Sequence, residues 1–226
     1  MIGGIVAAAA AIGWSLGAYA TKDDFNARAY SRQRAPVIDA QMRDTDPGFI
    51  LFAGDSHIDL FNEPSELCGR DTANAGLSGV TAEIYATALK TLHYPHKASL
   101  AVLTIGTNDL ARKKHLDPEA FQASVESIVQ TLKEHASFIV MTAIPPIGRE
   151  LANSFNIDSI EKYSTILSGV CISAHACSYQ DPYQDMRVTG EFGLAKPNTL
   201  ADGVHAKSYR EVYERIPLCR ILAEAH

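Results

Sequence analysis

The sequence has 226 residues, a formal net charge of -6 and 46% hydrophobic residues. This length favours one compact domain with a modest extension over two full domains. It contains no basic block or stripe that could neutralise a run of phosphates, so the composition argues against a nucleic-acid binder and predicts a small or neutral partner.

The first segment of the chain, residues 1–20, is uncharged and rich in Ala, Gly, Ile and Val. It ends in Ala18-Tyr19-Ala20, which fits the pattern of a signal-peptide cleavage site, although the positive residues that normally precede the apolar stretch are missing. At roughly 20 residues the segment is also long enough to cross a bilayer as a helix. We therefore expect a cleaved signal peptide or a retained membrane anchor, and hence an exported protein, periplasmic or extracellular. A buried helix is the remaining alternative.

The next segment, residues 21–48, is polar and of mixed charge, and it contains Pro36 and Pro47. This composition predicts an N-terminal extension that acts as a linker with some helix. The pattern changes at Phe49, so residues 49–226 are the predicted globular domain.

Short apolar runs that end in turn signals mark the predicted core strands, at residues 49–53, 100–105 and 138–144, with a further candidate at 71–75. Helical periods follow at about 80–92, at 117–132 with Asp117 as N-cap, at about 157–171, and after His205. Strands that are apolar throughout and alternate with helices imply a mainly parallel sheet covered on both faces. The predicted fold is therefore a three-layer α/β/α sandwich, in which chemistry lies at the carboxyl ends of the strands.

Four cysteines, an even number, are consistent with two disulfides in an exported protein. Proximity favours Cys171 with Cys177, which leaves Cys68 with Cys219, and four buried thiols are the alternative. No pair has the C-x-x-C spacing of a zinc or redox centre, so we predict neither a metal site nor a cofactor.

Three candidate groups follow predicted strands. Ser56, in Gly54-Asp55-Ser56-His57, is a candidate nucleophile, although most serines at such positions only cap a helix. Asn108, in Gly106-Thr107-Asn108-Asp109, has a side-chain amide that suits an oxyanion, or equally a turn. At Gly76 the absence of a Cβ would let a substrate oxygen reach the backbone N–H.

The candidate base is His205, which follows Asp202 by three residues. In a tight turn this spacing places both side chains on one side, so the carboxylate accepts the Nδ1 proton and leaves Nε2 free as base. None of the other seven histidines has an Asp at this offset.

Taken together, these motifs resemble the SGNH (GDSL-type) hydrolase family. The four family blocks occur in order: Gly54-Asp55-Ser56, Asn74-Ala75-Gly76 with Gly79 following, Gly106-Thr107-Asn108-Asp109, and Asp202-Gly203-Val204-His205. The resemblance covers residue 49 to the C-terminus. It implies a flavodoxin-like fold, a triad of Ser56, Asp202 and His205, and an oxyanion hole formed by the Ser56 and Gly76 backbone N–H groups and the Asn108 side chain.

Where the family often has Leu after the nucleophile, this chain has His57, as do SGNH domains that act in polysaccharide O-acetylation. His57 therefore predicts a sugar-facing, substrate-binding residue, with a structural histidine as the alternative. We expect a serine esterase that hydrolyses a short acyl ester, by preference an acetyl ester on a glycan outside the cytoplasm. A lipase or thioesterase, an O-acyltransferase with the same triad, and a non-catalytic binding protein are the alternatives.

Overall fold

The computed structural model describes residues 25–225. The predicted signal peptide or anchor at residues 1–20 lies outside the described residues. Within the described part of the chain, no helix is long and apolar enough to cross a membrane.

The chain folds into seven α-helices and eight strands within the described residues, together with short 3₁₀ turns. In chain order the elements are α1 (Ala27–Arg43), β1 (Ile50–Gly54), α2 (Ser56–Asp59), β2 (Glu66–Leu67), β3 (Arg70–Gly76), α3 (Ala82–Leu89), β4 (Ala98–Thr104), α4 (Pro118–His135), β5 (Ala136–Thr142), α5 (Ile160–Ser173), β6 (Cys177–Gln180), β7 (Arg187–Val188), β8 (Glu191–Ala195), α6 (Tyr209–Glu214) and α7 (Leu218–Glu224).

The central sheet has six strands in the order β2-β3-β1-β4-β5-β6. Its five longer strands run parallel, and only the two-residue edge strand β2 is antiparallel to its neighbour. From β1 the chain builds first to one side, through β3, and then to the other, through β4. Such a reversal opens a crevice at the carboxyl ends of the strands, where α/β proteins bind their ligands.

Apolar side chains of the strands alternate between two cores. Leu51 and Ala53 of β1 enter the core that α1, α3, α4 and α5 cover, whereas Ile50 and Phe52 enter the core that α6 and α7 cover. A parallel sheet needs helices on both faces because both of its faces are apolar. The predicted three-layer α/β/α sandwich with a mainly parallel sheet is therefore confirmed.

The segment 21–48, which we expected to be a linker with some helix, contains the 17-residue helix α1. Ile38 and Met42 are fully buried in the core beneath it. The sequence obscured this packing because only one short apolar stripe faces the sheet and Pro36 lies inside the helix. The helix expected after His205 is present as α6, and a second helix, α7, follows it after Pro217.

Both predicted disulfides are present, Cys171–Cys177 and Cys68–Cys219. The first joins the end of α5 to the start of β6. The second joins the turn between β2 and β3 to α7, across 151 residues of sequence.

Candidate active site

The nucleophile candidate, Ser56, is the first residue of α2, directly after the central strand β1. The chain turns sharply at Gly54, whose φ is +146° and where an ideal Cβ would lie 1.9 Å from the Thr104 carbonyl oxygen, so only glycine fits. Asp55 then caps α2 by accepting a hydrogen bond from the His57 N–H at 3.1 Å. This strand-to-helix turn places Ser56 at the carboxyl edge of the sheet.

Asp202 and His205 occupy a tight turn above Ser56. One Asp202 carboxylate oxygen accepts hydrogen bonds from the backbone N–H groups of Val204 and His205, at 3.0 and 2.8 Å. The other oxygen accepts the His205 Nδ1–H at 2.7 Å. His205 Nε2 is then free to accept a hydrogen bond from the Ser56 hydroxyl, 2.8 Å away. The structure thus brings together the three residues predicted as a triad, although Ser56 and His205 are 149 residues apart in sequence.

Hydrogen bonding keeps the Asp202 carboxyl ionised. Its partial burial alone would raise the pKa, but the hydrogen bonds from the His205 side chain and from the two backbone N–H groups outweigh this and lower the pKa to about 2. An ionised carboxylate holds the proton on Nδ1 of His205 and stabilises the imidazolium that forms when Nε2 takes up a proton. The arrangement can therefore perform general base catalysis on the Ser56 hydroxyl.

The oxyanion donors differ from the prediction at one position. The Ser56 N–H makes no hydrogen bond to another described residue, as an oxyanion donor requires. Asn108 Nδ2 donates one hydrogen to the Val80 carbonyl at 3.0 Å and keeps its second. The Gly76 N–H, however, donates to Asn74 Oδ1 at 2.8 Å, so Gly76 does not offer the free donor that we assigned to it.

A second glycine in the same sequence block, Gly79, has an N–H without a partner among the described residues. It precedes Val80, to which Asn108 is bonded, and its own N–H makes no hydrogen bond within residues 25–225. Its φ of +73° is a left-handed conformation that favours glycine. Sequence reasoning chose Gly76 because it ends a strand, whereas the useful signal was a glycine in the turn before α3.

Asn74 explains why the Gly76 N–H is occupied. This buried side chain lies between α2 and β3, where its Nδ2 has two hydrogens to share among three acceptors, the carbonyl oxygens of Ile58 and Phe61 at 2.9 and 3.1 Å and the Glu63 carboxylate at 2.8 Å. Its Oδ1 is then directed to Gly76. Asn74 therefore joins the nucleophile helix to the neighbouring strand.

His57 lies beneath the site and not at its mouth. It is fully buried, and its Nδ1 and the Tyr209 hydroxyl form a hydrogen bond at 3.1 Å. Burial first, and then the nearby His205, lower the pKa of His57 to about 3, so its imidazole is neutral at physiological pH. The predicted contact of His57 with a substrate is wrong because no part of the residue is exposed, and the structural alternative describes it correctly.

The described residues contain no group of three or more His, Cys, Asp or Glu side chains that could hold a metal ion. Among the described residues, the groups at Ser56 that can act on a substrate are the His205 imidazole, which the Asp202 carboxylate orients, and the unbonded N–H of Ser56 itself.

Comparison with known proteins places this site in a family. The model of the GDSL-like lipase/acylhydrolase family matches residues 50–216, while a search of curated proteins finds no match. Among solved structures, the chain is similar to a Streptococcus pneumonia protein provisionally described as a platelet activating factor, with a TM-score of 0.69, 18% identity, and coverage of 86% of this chain and 95% of that chain.

Two further structures are similar. A GDSL-like lipase from Bacteroides thetaiotaomicron has a TM-score of 0.64 and 18% identity over 88% of this chain and 97% of that chain. An acetylxylan esterase from Geobacillus stearothermophilus has a TM-score of 0.55 and 18% identity over 80% of this chain and 94% of that chain. Identities this low show the shared fold alone. Because the family model spans most of the sequence, the resemblance to SGNH hydrolases is confirmed, and the chain belongs to the GDSL-like lipase/acylhydrolase family and is a carboxylic ester hydrolase.

Proposed function

We propose that the protein hydrolyses a short acyl ester, by preference an acetyl ester on a glycan outside the cytoplasm, through an acyl-enzyme on Ser56. The observation that carries this proposal is the continuous hydrogen-bonded chain from Asp202 through His205 to the Ser56 hydroxyl, at 2.7 and 2.8 Å. Such a chain gives a serine hydroxyl the adjacent base that it needs to act as a nucleophile.

In the first half of the reaction, His205 Nε2 removes the hydroxyl proton as Ser56 Oγ attacks the ester carbonyl. The oxyanion of the tetrahedral intermediate accepts hydrogen bonds from the Ser56 N–H, the Gly79 N–H and Asn108 Nδ2. Collapse of the intermediate breaks the bond to the alcohol oxygen, which takes the proton from His205 and leaves. The acyl group remains on Ser56.

In the second half, His205 removes a proton from a water molecule that attacks the acyl carbonyl, and the same three donors hold the second oxyanion. Collapse breaks the bond to Ser56 Oγ, which recovers its proton from His205. The products are a carboxylic acid and free enzyme, and neither a metal nor an organic cofactor takes part.

Several features support a carbohydrate ester outside the cytoplasm. Two disulfides within the described chain are typical of proteins from oxidising compartments. The uncharged segment at residues 1–20 favours export, with membrane attachment as an alternative end state. The similar Geobacillus stearothermophilus protein is an acetylxylan esterase, which is a precedent for an acetylated glycan on this fold.

A second candidate substrate, a lipid ester or thioester, is favoured by a groove of about 1070 Å³ that is lined in part by residues close to the triad in sequence. They include Leu60, whose N–H donates to the Ser56 carbonyl, and Lys207, two residues after His205. Leu60 is 55% exposed and Phe61 and Tyr213 lie deeper in the groove. An apolar groove of this size can hold an acyl chain.

Hydrolysis of p-nitrophenyl acetate by the purified protein and by Ser56→Ala tests the chemistry. We expect Ser56→Ala to lower kcat by about 10⁴-fold or more, because the nucleophile is lost. Ser99→Ala is the matched control, since Ser99 is also a buried serine, and its hydroxyl donates to the Phe49 carbonyl. Equal rates for Ser56→Ala and the unmodified protein would contradict the catalytic role and favour a binding protein.

The substrate is tested with a series of esters. A glycan acetylesterase should prefer p-nitrophenyl acetate to the octanoate and should release acetate from acetylated xylo-oligosaccharides, whereas the opposite preference would favour the lipid ester. Adding an unmodified glycan as acceptor distinguishes acyl transfer, because a transferase yields an acetylated glycan in place of free acetate. A mature protein that begins at Thr21 would identify residues 1–20 as a cleaved signal peptide.

A further inference from the structure

The carboxylate of Asp59 links the N-terminal helix to the loop that carries Gly79. Asp59 is the last residue of α2, and its side chain is only 8% exposed. One oxygen accepts hydrogen bonds from the Tyr30 hydroxyl at 2.7 Å, from the Ser78 N–H at 3.1 Å and from the Ser78 hydroxyl. The other lies 3.5 Å from Nε of Arg34.

Both α1 residues in this network depend on Asp59 for a partner. The Arg34 Nε is buried and makes no hydrogen bond within residues 25–225, so its charge is balanced chiefly by the Asp59 carboxylate. Burial and the hydrogen bond to Asp59 raise the pKa of Tyr30 to about 12, so its hydroxyl remains a donor at neutral pH.

The start of the N-terminal helix also touches the glycine directly. An ideal Cβ on Gly79 would lie 2.5 Å from the Phe25 ring, so the ring packs on the glycine backbone. The Phe25 and Tyr30 rings are in turn 5.5 Å apart. The chain before residue 50, which the family model does not match, thus contacts Gly79 through Phe25 and reaches Ser78 through the Asp59 carboxylate that Tyr30 also bonds.

An oxyanion donor accelerates a reaction only if it already points at the developing charge, because reorientation during the reaction would cost the energy that the hydrogen bond gains. The Gly79 N–H belongs to the peptide that joins Ser78 to Gly79. Two hydrogen bonds from Ser78 to Asp59 fix the residue on one side of this peptide, and the Phe25 ring covers the other. A loop donor held in this way is preorganised.

We propose that Tyr30 and Arg34 of α1 are positioning residues for ester hydrolysis, which hold the Gly79 oxyanion donor in place through Asp59 and Ser78. This inference rests on the proposed function. It adds to the site a helix, α1, that ends at Arg43, before the nucleophile in sequence. The Tyr30 and Arg34 side chains make no contact with Ser56 or His205 among the hydrogen bonds and ion pairs of the described residues.

The test compares Tyr30→Phe with Tyr94→Phe in the full chain. Tyr94 is the matched control because its hydroxyl also makes one hydrogen bond in a partly buried setting, to the Leu89 carbonyl at 3.0 Å. We expect Tyr30→Phe to lower kcat for p-nitrophenyl acetate about 10-fold, which is less than the effect of deleting an oxyanion donor outright, while KM changes less than about twofold. Tyr94→Phe should retain kcat, with a similar change in melting temperature.

The inhibition constant of phenylboronic acid is a second measurement, which would not change if Tyr30 had only a structural role. The boronate forms a tetrahedral adduct with a serine hydroxyl, and one of its oxygens occupies the oxyanion position. We expect the inhibition constant of Tyr30→Phe to rise by about the same factor as kcat falls. An unchanged kcat and an unchanged inhibition constant in Tyr30→Phe would overturn the positioning role.

A second test uses Asp59→Asn to ask whether Tyr30 acts through Asp59. Because Tyr30 acts through Asp59, the double variant Tyr30→Phe/Asp59→Asn should be no slower than Asp59→Asn alone, and additive losses would overturn the pathway. If Asp59→Asn does not fold, Tyr30→Phe still decides the proposal. Absence of Ser56-dependent turnover in the unmodified protein would overturn the proposed function together with this inference, whereas normal turnover in Tyr30→Phe would overturn the inference alone.

Discussion

The two halves of the candidate site are built in opposite ways. In the Asp202–His205 turn the Asp202 side chain is exposed, and among the described residues its carboxylate bonds only to residues within three positions in sequence. On the other side, Asp55 and His57 are fully buried, and the Ser78–Gly79 loop is bonded to Asp59 of α2, which also accepts a hydrogen bond from Tyr30 of α1. One half depends on local hydrogen bonds, and the other depends on the packing of distant segments.

This difference teaches where stability and chemistry are coupled. An exposed turn can lose a charge without opening the core, so substitutions there should affect the reaction and leave the fold largely intact. A buried side chain that joins two elements of the site contributes both to the stability of the fold and to the reaction. We therefore expect the ratio of catalytic loss to stability loss to be high for the turn and lower for the oxyanion side.

The largest effect expected on the turn is that of Asp202→Asn. The amide cannot hold the proton on Nδ1 of His205 or stabilise the imidazolium, so kcat should fall about 10³- to 10⁴-fold. The Asp202 side chain is 57% exposed, and we expect little change in melting temperature. The measurement is kcat for p-nitrophenyl acetate beside a thermal melt. If Asp202→Asn had a much lower melting temperature than the unmodified protein, the proposed difference in stability between the two halves of the site would be wrong.

On the oxyanion side, Asn108→Ala should lower kcat about 10²- to 10³-fold. It also removes the hydrogen bond to the Val80 carbonyl, so we expect a loss of about 1 kcal/mol in unfolding free energy. Asn156→Ala is the matched control, because its Nδ2 donates to the Leu110 carbonyl at 3.1 Å. It should show a similar stability loss with nearly normal kcat. An equal loss of kcat in Asn108→Ala and Asn156→Ala would contradict a role for Asn108 in the reaction.

The smallest effect concerns the pH dependence of stability, where the two halves should have opposite signs. The pKa of Asp202 is about 2 in the folded protein, below its ordinary 3.8, so its contribution is present above 3.8 and is lost as the pH falls towards 2. Burial raises the pKa of Asp55 to about 7. Between 3.8 and about 7 the unfolded chain releases this proton while the folded protein keeps it, so stability falls as the pH rises.

Thermal melts of the unmodified protein, Asp55→Asn and Asp202→Asn between about pH 3 and pH 8 measure these slopes. Relative to the unmodified protein, Asp55→Asn should gain stability as the pH rises from about 4 to about 7. The difference in stability between Asp202→Asn and the unmodified protein should become smaller as the pH falls from about 4 towards about 2. Parallel curves for all three proteins would show that the two carboxyls have similar environments, contrary to the structure.

Much of the fold could be predicted because its signals are local. The apolar runs at residues 49–53, 100–105 and 138–144 correspond to β1, β4 and β5, and Asp117 caps α4 as expected. The edge strand β6 was not predicted, since Cys177–Gln180 is short and only half-buried. The tight packing of α1 was missed for a related reason: its burial depends on the surface that the rest of the chain presents.

At the site, the sequence by itself predicted Ser56, Asp202 and His205, through four short motifs that occur in the order of the SGNH family. Only the tertiary structure decided that His57 is buried under Tyr209, that Asn74 occupies the Gly76 N–H, and that the Gly79 N–H has no partner among the described residues. The physical reason is the range of the interactions. A turn closes over three residues, whereas a free donor is defined by what every other segment leaves unbonded.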